Sequence, residues 1–201
     1  MTAEIAQATA QHVVLVVVSV ALATALAVPL GILLTRRPAW QRLVLGAANV
    51  VQTIPSLALF GLLIPLPFFG IGTRTALVAL TLYAILPILR NTVVGIAGVD
   101  PAIREAAVGM GMTSTQLLRR VELPLATSVI LAGVRTATVI GVGLATIAAP
   151  IGAGGLGVLV FSGLASLDNR RLLAGAVPAA LLALGADALL GGVERRLRWP
   201  R

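Results

Sequence analysis

The sequence predicts an all-α membrane protein, because the chain is rich in apolar residues, poor in charge and divided into long uncharged runs. Of its 201 residues, 58% are hydrophobic and 11% are charged, and the mean hydropathy is +1.03. Soluble domains carry about 25% charged residues, so this chain lacks the polar side chains that a water-exposed surface needs. The run Leu15-Val16-Val17-Val18 does not alternate polar and apolar residues, which disfavours the strands of a membrane β-barrel.

Five uncharged runs are long enough to cross a bilayer as helices, since one crossing takes about 20 apolar residues. The predicted helices cover residues 12–34, 44–66, 75–97, 124–148 and 172–193. We expect residues 1–11 to form an external N-terminal segment, 12–193 the transmembrane domain and 194–201 a basic tail. A signal peptide is the disfavoured alternative for the first run, because the residues before it include Glu4 and no base.

Two prolines and one glycine-rich segment interrupt these runs. Pro55 and Pro87 lie inside the second and third predicted helices, where each removes a backbone donor and kinks the helix. An adjustment of shape is the preferred interpretation, and a hinge lining a path is the alternative. Segment 149–169 is too apolar for an ordinary loop and too rich in glycine for a stable helix. It is expected to be partly re-entrant, and it lacks the Gly-Lys-Ser/Thr ending of a phosphate-binding loop.

The arginines predict the orientation of the chain, whose 15 basic residues are all Arg. Ten of them lie in loop 35–43, loop 98–123 and the C-terminal tail, against three on the other side. Loops rich in arginine stay in the cytoplasm, so the N-terminus is expected outside and the C-terminus inside. Termini on opposite sides require an odd number of helices, and five satisfies this. Because the arginines flank apolar runs, a membrane explains the basic charge better than a nucleic acid does.

The composition excludes most catalytic chemistry. There is no cysteine and a single histidine, His12, which excludes a cysteine nucleophile, a Cys/His zinc site and a multi-histidine metal site. We therefore expect no catalytic residue and no metal site. His12 lies at the outer edge of the first predicted helix, and the sequence indicates no partner for it.

Loop 98–124 is the one long loop on the arginine-rich side, and its sequence predicts two short helices. Asp100 caps the first helix and Pro101 occupies its first turn. Gly109 and Gly111 end it. Thr113 and Gln116 then form a capping box that begins a second short helix, before Pro124 opens the fourth long helix.

The two short helices carry an apolar side that a soluble surface does not explain. Methionines suit an adaptable docking surface, and this side consists of Ile103, Ala106, Ala107, Met110, Met112, Leu117, Leu118 and Val121. Either a partner protein covers this side, or the loop packs on the ends of its own helices. The sequence alone leaves both alternatives open.

Three charged residues lie within the predicted helices: Arg90, Arg135 and Asp187. Charges at such depth are costly and face the bundle interior or a partner. A structural ion pair is one interpretation, and Arg90 has the alternative of extending to the headgroups. Arg135 is too deep for that, so we expect it to be buried and hydrogen-bonded at a helix or subunit contact.

Small residues recur every four positions in the fourth predicted helix, at Gly133, Ala137, Gly141 and Ala145. That spacing forms one stripe, which lets two helices approach closely in lipid. We expect this stripe to pack against another helix, within the chain or across a dimer, with Arg135 facing elsewhere. The alternative is that an alanine-rich chain produces such a stripe by chance.

One pattern in loop 98–124 resembles a known family. The pattern consists of Glu105-Ala106-Ala107, three residues, Gly111, nine residues, Val121, one residue and Leu123-Pro124. It is similar to the EAA loop of permease subunits of ABC importers. Four further segments are Ile54-Pro55-Ser56-Leu57-Ala58-Leu59, Leu89-Arg90-Asn91-Thr92, Asp100-Pro101 and Ile151-Gly152-Ala153-Gly154-Gly155-Leu156-Gly157. They resemble the osmoprotectant branch of that family. This branch imports glycine betaine, carnitine, choline and similar quaternary ammonium solutes. Methionine-uptake permeases share the loop and remain the alternative.

The resemblance implies a type I importer permease in a bacterial inner membrane. The coupling residues would be Glu105, Ala106, Ala107, Gly109, Gly111, Val121, Leu123 and Pro124, on a loop that docks on a separate cytoplasmic ATPase. ATP would bind there and not on this chain, which has no Walker motif and is not expected to be an enzyme. A second permease chain, identical or related, and an external binding protein complete the implied assembly.

The scarcity of aromatic residues bears on solute selection. The chain has four Phe, two Trp and one Tyr, and Trp40 and Trp199 are expected at the inner membrane interface. Few aromatics then remain to form a cage around a quaternary ammonium ion. We expect the binding protein to select the solute, with weak binding along the path through this chain.

Overall fold

Long apolar helices dominate the chain, as its hydropathy requires. The structure is a computed structural model that describes residues 1–197. Within that range every regular element is helical, which confirms the predicted all-α class. The α-helices are α1 Thr2–Thr35, α2 Pro38–Thr53, α3 Ser56–Leu63, α4 Thr73–Ala97, α5 Pro101–Gly109, α6 Ser114–Leu117, α7 Leu123–Ile147, α8 Gly157–Ala165 and α9 Asn169–Arg196.

Four helical stretches in the described range are long and apolar enough to cross a membrane. They are Thr2–Thr35, Thr73–Ala97, Ser114–Ile147 and Asn169–Arg196. The pair α2 and α3 passes the same test together, although the two helices are bent by 99°. Counting that pair as one span gives the predicted number of five.

The packing of α1 against α4 requires this fifth span. Gly31 of α1 lies against Thr92, while Ser19, nearer the start of α1, lies within 3.5 Å of the Leu77 carbonyl. Positions along the two helices therefore increase together, so α1 and α4 are parallel. A parallel pair obliges the intervening chain, residues 36–72, to return across the bundle.

Helices α7 and α9 complete the bundle. Helix α7 runs antiparallel to α4, because Ala126 faces Gly95 and Gly133 faces Pro87. Helix α9 begins beside the start of α1, where Arg171 forms an ion pair with Glu4. Loop 98–113 and the end of α9 thus lie at one end of the bundle, the coupling-loop side, and the start of α1 lies at the opposite side.

Two predicted helices differ from those observed. The first helix begins at Thr2 and not at residue 12, because the preceding Ala, Glu and Gln residues are good helix formers. Residues 2–11 of the predicted N-terminal segment are therefore helical. The second predicted helix, 44–66, was wrong as a single element: Pro55 lacks a backbone donor and follows a non-helical Ile54, so α2 ends and α3 starts there.

The predicted second short helix of loop 98–124 is not a separate element. The capping box of Thr113 and Gln116 is confirmed, with both reciprocal hydrogen bonds present. The chain then continues from α6 through a π-helical segment, Leu118–Glu122, directly into α7. Pro124 stands in the first turn of α7 with helical backbone on both sides of it, so it does not separate the two helices.

The glycine-rich segment forms a hairpin of short elements. A single 3₁₀ turn, Ala149–Ile151, is followed by α8, which has 9 residues. At about 1.5 Å per residue α8 is too short to cross a bilayer, and a re-entrant course of segment 149–169 stays a prediction. Helix α8 packs on the start of α9, and Gly163 lies against the Leu172 backbone.

Candidate functional site

Helix α5 presents most of the predicted coupling residues on the surface. Asp100 caps it by accepting a hydrogen bond from the Ala102 amide at 2.8 Å. Ala107 is the one buried residue of α5, at 2% exposure, and it anchors the helix. Three large apolar side chains of α5 and the turn after it remain exposed: Ile103, Val108 and Met110.

The remaining predicted coupling residues divide between surface and core. Glu105, Ala106, Gly109, Gly111 and Pro124 are exposed, while Val121 and Leu123 are half-buried where the π-helical segment enters α7. Gly111 adopts a φ of +81° and a side chain there would meet nothing within 4 Å. Glycine is thus required at this turn for its backbone conformation and not for space.

A buried carboxylate lies immediately inside this loop. Glu122 ends the π-helical segment and is 0% exposed. Its Oε2 accepts a hydrogen bond from Arg36 Nη2, and its Oε1 lies 3.3 Å from Arg104 Nε. We call these three residues the Glu122 cluster.

The Glu122 cluster joins four parts of the fold. Arg36 follows the last turn of α1, Arg104 belongs to α5, and Glu122 precedes α7. Arg104 Nη2 also donates to the Ile96 carbonyl near the end of α4. Glu122 was not predicted as a site residue, although an acid directly before Leu123-Pro124, on the arginine-rich side, was a usable signal.

Two of the three predicted intramembrane charges, Arg135 and Asp187, connect α7 to α9. Arg135 donates to Asp187 through Nε at 2.6 Å and Nη2 at 2.7 Å, and its Nη1 lies 3.3 Å from Glu194 Oε2. A two-pronged contact of this kind holds both the charge and the orientation of the guanidinium. Glu194 was missed from sequence, although its seven-residue spacing from Asp187 places both on one helix face.

Arg90 takes no part in this network. Its side chain is exposed, and no carboxylate of the described residues lies within ion-pair distance. Of the two interpretations, extension toward solvent or headgroups agrees with this exposure. Arg198, Trp199 and Arg201 of the basic tail lie outside the described residues.

The small-residue stripe of α7 is buried within the chain. Gly133, Ala137, Gly141 and Ala145 are all buried. A side chain at Gly133 would meet Pro87 O of α4 at 2.8 Å, and Gly141 faces Val16 of α1. Arg135 faces α9 instead, so the stripe and the charge use different sides of α7. The Arg135 side chain is 33% exposed and not buried as predicted.

A second cluster holds the opposite side of the bundle. His12 is 0% exposed and its Nε2 lies 3.0 Å from the Val142 carbonyl. Gln11 accepts a hydrogen bond from the Gly155 amide at 3.1 Å. We call Gln11, His12, Gly154, Gly155 and Gly157 the glycine cluster. The contact of His12 in α1 with Val142 in α7 joins residues 130 positions apart in the chain. Local sequence patterns therefore did not indicate this contact.

The break between α2 and α3 is closed by hydrogen bonds with Tyr83 of α4. Tyr83 donates its hydroxyl to the Ile54 carbonyl, and Gln52 Nε2 donates to the Tyr83 carbonyl at 2.8 Å. Backbone groups freed inside a membrane must find such partners. Phe60, 0% exposed, and Tyr83, 7% exposed, are packed in the same core cluster and form no open aromatic cage.

Comparison with known proteins agrees with this arrangement. The family model described as "Binding-protein-dependent transport system inner membrane component" matches residues 27–199. The carnitine transport permease protein OpuCB of Listeria monocytogenes is 48% identical over 187 residues, covering 93% of this chain and 85% of that protein. The osmoprotectant import permease protein OsmW of Salmonella typhimurium is 49% identical over 189 residues, covering 92% and 88%.

Further matches extend to Bacillus and to solved structures. The choline transport system permease protein OpuBB of Bacillus subtilis is 44% identical, covering 96% of this chain and 88% of that protein. An inward-facing structure of the MetNI methionine ABC transporter superposes with a TM-score of 0.84 at 24% identity, covering 93% of each chain. That likeness supports the fold alone. The match over residues 27–199 and the high identity to named permeases show that this chain belongs to the family of binding-protein-dependent transport system inner membrane components.

Proposed function

We propose that this chain is the permease subunit of an ATP-driven importer for quaternary ammonium osmoprotectants such as glycine betaine, choline or carnitine. The observation that carries the proposal is the exposed apolar surface of α5, with Ile103, Val108 and Met110, on a structured loop in the position of the EAA pattern. Relatives above 40% identity are named for carnitine, choline and osmoprotectant transport, which supports the solute class.

In this proposal the surface of α5 docks on a separate cytoplasmic ATPase, which binds and hydrolyses ATP. This chain contributes the membrane path and no catalytic group. A second permease chain completes the path, since five spans enclose little space alone, and an external binding protein delivers the solute. The absence of a cage around Phe60 and Tyr83 supports selection by the binding protein and weak binding along the path.

The experiment is reconstitution of the complex of permease, ATPase and binding protein in liposomes. We expect uptake of radiolabelled glycine betaine, choline or carnitine that requires both ATP and the binding protein. Methionine, tested in parallel, represents the alternative solute. Uptake of methionine alone would contradict the osmoprotectant assignment, and uptake without ATP would contradict the transport mechanism.

Orientation is tested in the same chain, which has no native cysteine. We propose that loop 98–124 is cytoplasmic and that the N-terminus is outside. Ser114 and Ser166 are both exposed at opposite sides of the bundle. An impermeant thiol reagent added to intact cells should modify Ser166→Cys and leave Ser114→Cys unmodified; the reverse pattern would contradict this orientation.

A further inference from the structure

Glu122 is the most deeply buried acid of the described chain, and both of its arginine partners reach it from other elements. Glu122 is 0% exposed, whereas the side chains of Arg36 and Arg104 are 43% and 30% exposed. A buried carboxylate is costly unless it is paired and hydrogen-bonded. Arg36 supplies a hydrogen bond to Oε2, whereas Arg104 Nε lies 3.3 Å from Oε1 as an ion pair without a hydrogen bond. Glu122 therefore depends on the charge of both guanidinium groups for as long as it remains buried.

This requirement links α5 to the bundle. Ala107 is the only buried residue of α5, so the helix has little apolar contact with the spans beneath it. Arg104 is the charged connection from α5, reaching both Glu122 and the Ile96 carbonyl of α4. Arg36 brings the end of α1 to the same carboxylate.

Glu122 also lies at an unusual position in the backbone. It ends a π-helical segment, Leu118–Glu122, that continues directly into α7. Such segments are rare in helices and occur frequently at functional sites. A displacement of α5 therefore meets α1, α4 and α7 at one ionic junction.

We propose that Glu122 is a positioning residue that transmits movement of the ATPase-docked α5 to α1, α4 and α7 through its ion pairs with Arg36 and Arg104. The proposal rests on the proposed function, since it assumes that α5 docks on an ATPase. When α5 moves, Arg104 either carries the buried carboxylate with it or leaves Glu122 with Arg36 as its one charged partner. The first course costs less, so the movement passes into the spans.

The test measures solute imported per ATP hydrolysed by the reconstituted complex, with glycine betaine, choline and carnitine as substrates. Glu122→Gln keeps the shape and removes the charge, and it should lower this ratio about tenfold, within the usual range of coupling between sites. Glu122→Asp keeps the charge and should retain most of the ratio. Arg42→Gln removes an exposed arginine of α2 on the same side and is the matched control.

A purely structural role predicts a different result. It would reduce the amount of complex and scale uptake and hydrolysis together, leaving their ratio unchanged, and that outcome would overturn the proposal. Equal losses in Glu122→Gln and Glu122→Asp would also overturn it, because charge would then be irrelevant.

If Glu122→Gln does not assemble, Arg104→Gln decides, since Arg104 is partly exposed and Glu122 keeps its contact with Arg36. A normal ratio in an assembled Arg104→Gln complex would overturn the proposal. Absence of uptake by the unmodified complex would instead contradict the proposed function, so the two failures are distinguishable.

Discussion

The Glu122 cluster and the glycine cluster hold opposite sides of the same bundle by different forces. At the coupling-loop side, a buried carboxylate is held by two partly exposed arginines. At the other side, close approach depends on a missing side chain: a Cβ on Gly157 would lie 2.0 Å from the Thr146 carbonyl and 2.8 Å from Ala149 Cβ.

The contrast between ion pairs and close packing indicates which side of the bundle is able to rearrange. Close packing of backbone against backbone has one arrangement, and any change creates a clash or a void. Ion pairs hold Arg36, Arg104 and Glu122 together without fixing one packing of the helices that carry them. We therefore expect the glycine cluster to be a rigid anchor and the Glu122 cluster to be the side that moves.

The largest expected loss of stability comes from a substitution in the glycine cluster. Gly157→Ala places a methyl group 2.0 Å from the Thr146 carbonyl and 2.8 Å from Ala149 Cβ, so the backbone has to shift to admit it. We expect a loss of about 3 kcal/mol or more from overpacking, seen as little folded protein on size-exclusion chromatography in detergent. Gly143→Ala, with nothing within 4 Å, is the matched control. Equal yields of both variants would show that steric fit does not hold this side.

A smaller effect tests whether steric fit continues along α7 toward the coupling-loop side. A Cβ added at Gly141 would lie 3.6 Å from Val16 Cγ1. Alanine therefore fits at this position and leucine does not. We expect Gly141→Leu to cost about 1–3 kcal/mol, measured as lower thermal stability in detergent, while Gly143→Leu on the open side is tolerated. Equal stability of the two leucine variants would favour the chance origin of the small-residue stripe.

The next prediction distinguishes a glycine needed for its backbone conformation from the glycines needed for close packing. Gly111 has open space but a φ of +81°, so a β-branched side chain costs about 1–2 kcal/mol locally. Gly111→Val should leave the yield of the bundle unchanged and reduce ATP-driven uptake, because the turn after α5 is distorted. Gly111→Asn should transport normally, since asparagine adopts this conformation more readily. Full transport by the valine variant would remove the basis for assigning Gly111 to coupling.

The smallest effect concerns one hydrogen bond of the glycine cluster. Gln11 Oε1 accepts from the Gly155 amide at 3.1 Å, and Gln11 is itself exposed. Gln11→Ala should cost about 1 kcal/mol, measured as a small decrease in thermal stability relative to the control Gln7→Ala. A decrease as large as that of Gly157→Ala would mean that hydrogen bonding and not steric fit dominates this side.

Features with local causes were predictable from the sequence. Apolar runs and their flanking arginines predicted the helices at 75–97, 124–148 and 172–193, which the structure contains within three residues at either end as α4, α7 and α9. The caps of loop 98–124 followed from Asp100, Thr113 and Gln116, because capping involves residues two or three positions apart. The small-residue stripe of α7 was visible for the same reason, since its spacing is that of one helix face.

Only the tertiary structure decided which distant groups meet. The closure of the break at Pro55 by Tyr83, the pairing of Arg135 with Asp187 and Glu194, and the burial of Glu122 each join elements far apart in the chain. Hydropathy and capping act over one or two helical turns and assign no partner beyond them. The position of each partner is set by the parallel packing of α1 with α4 and the antiparallel packing of α7, which depend on side-chain fit summed over whole helices.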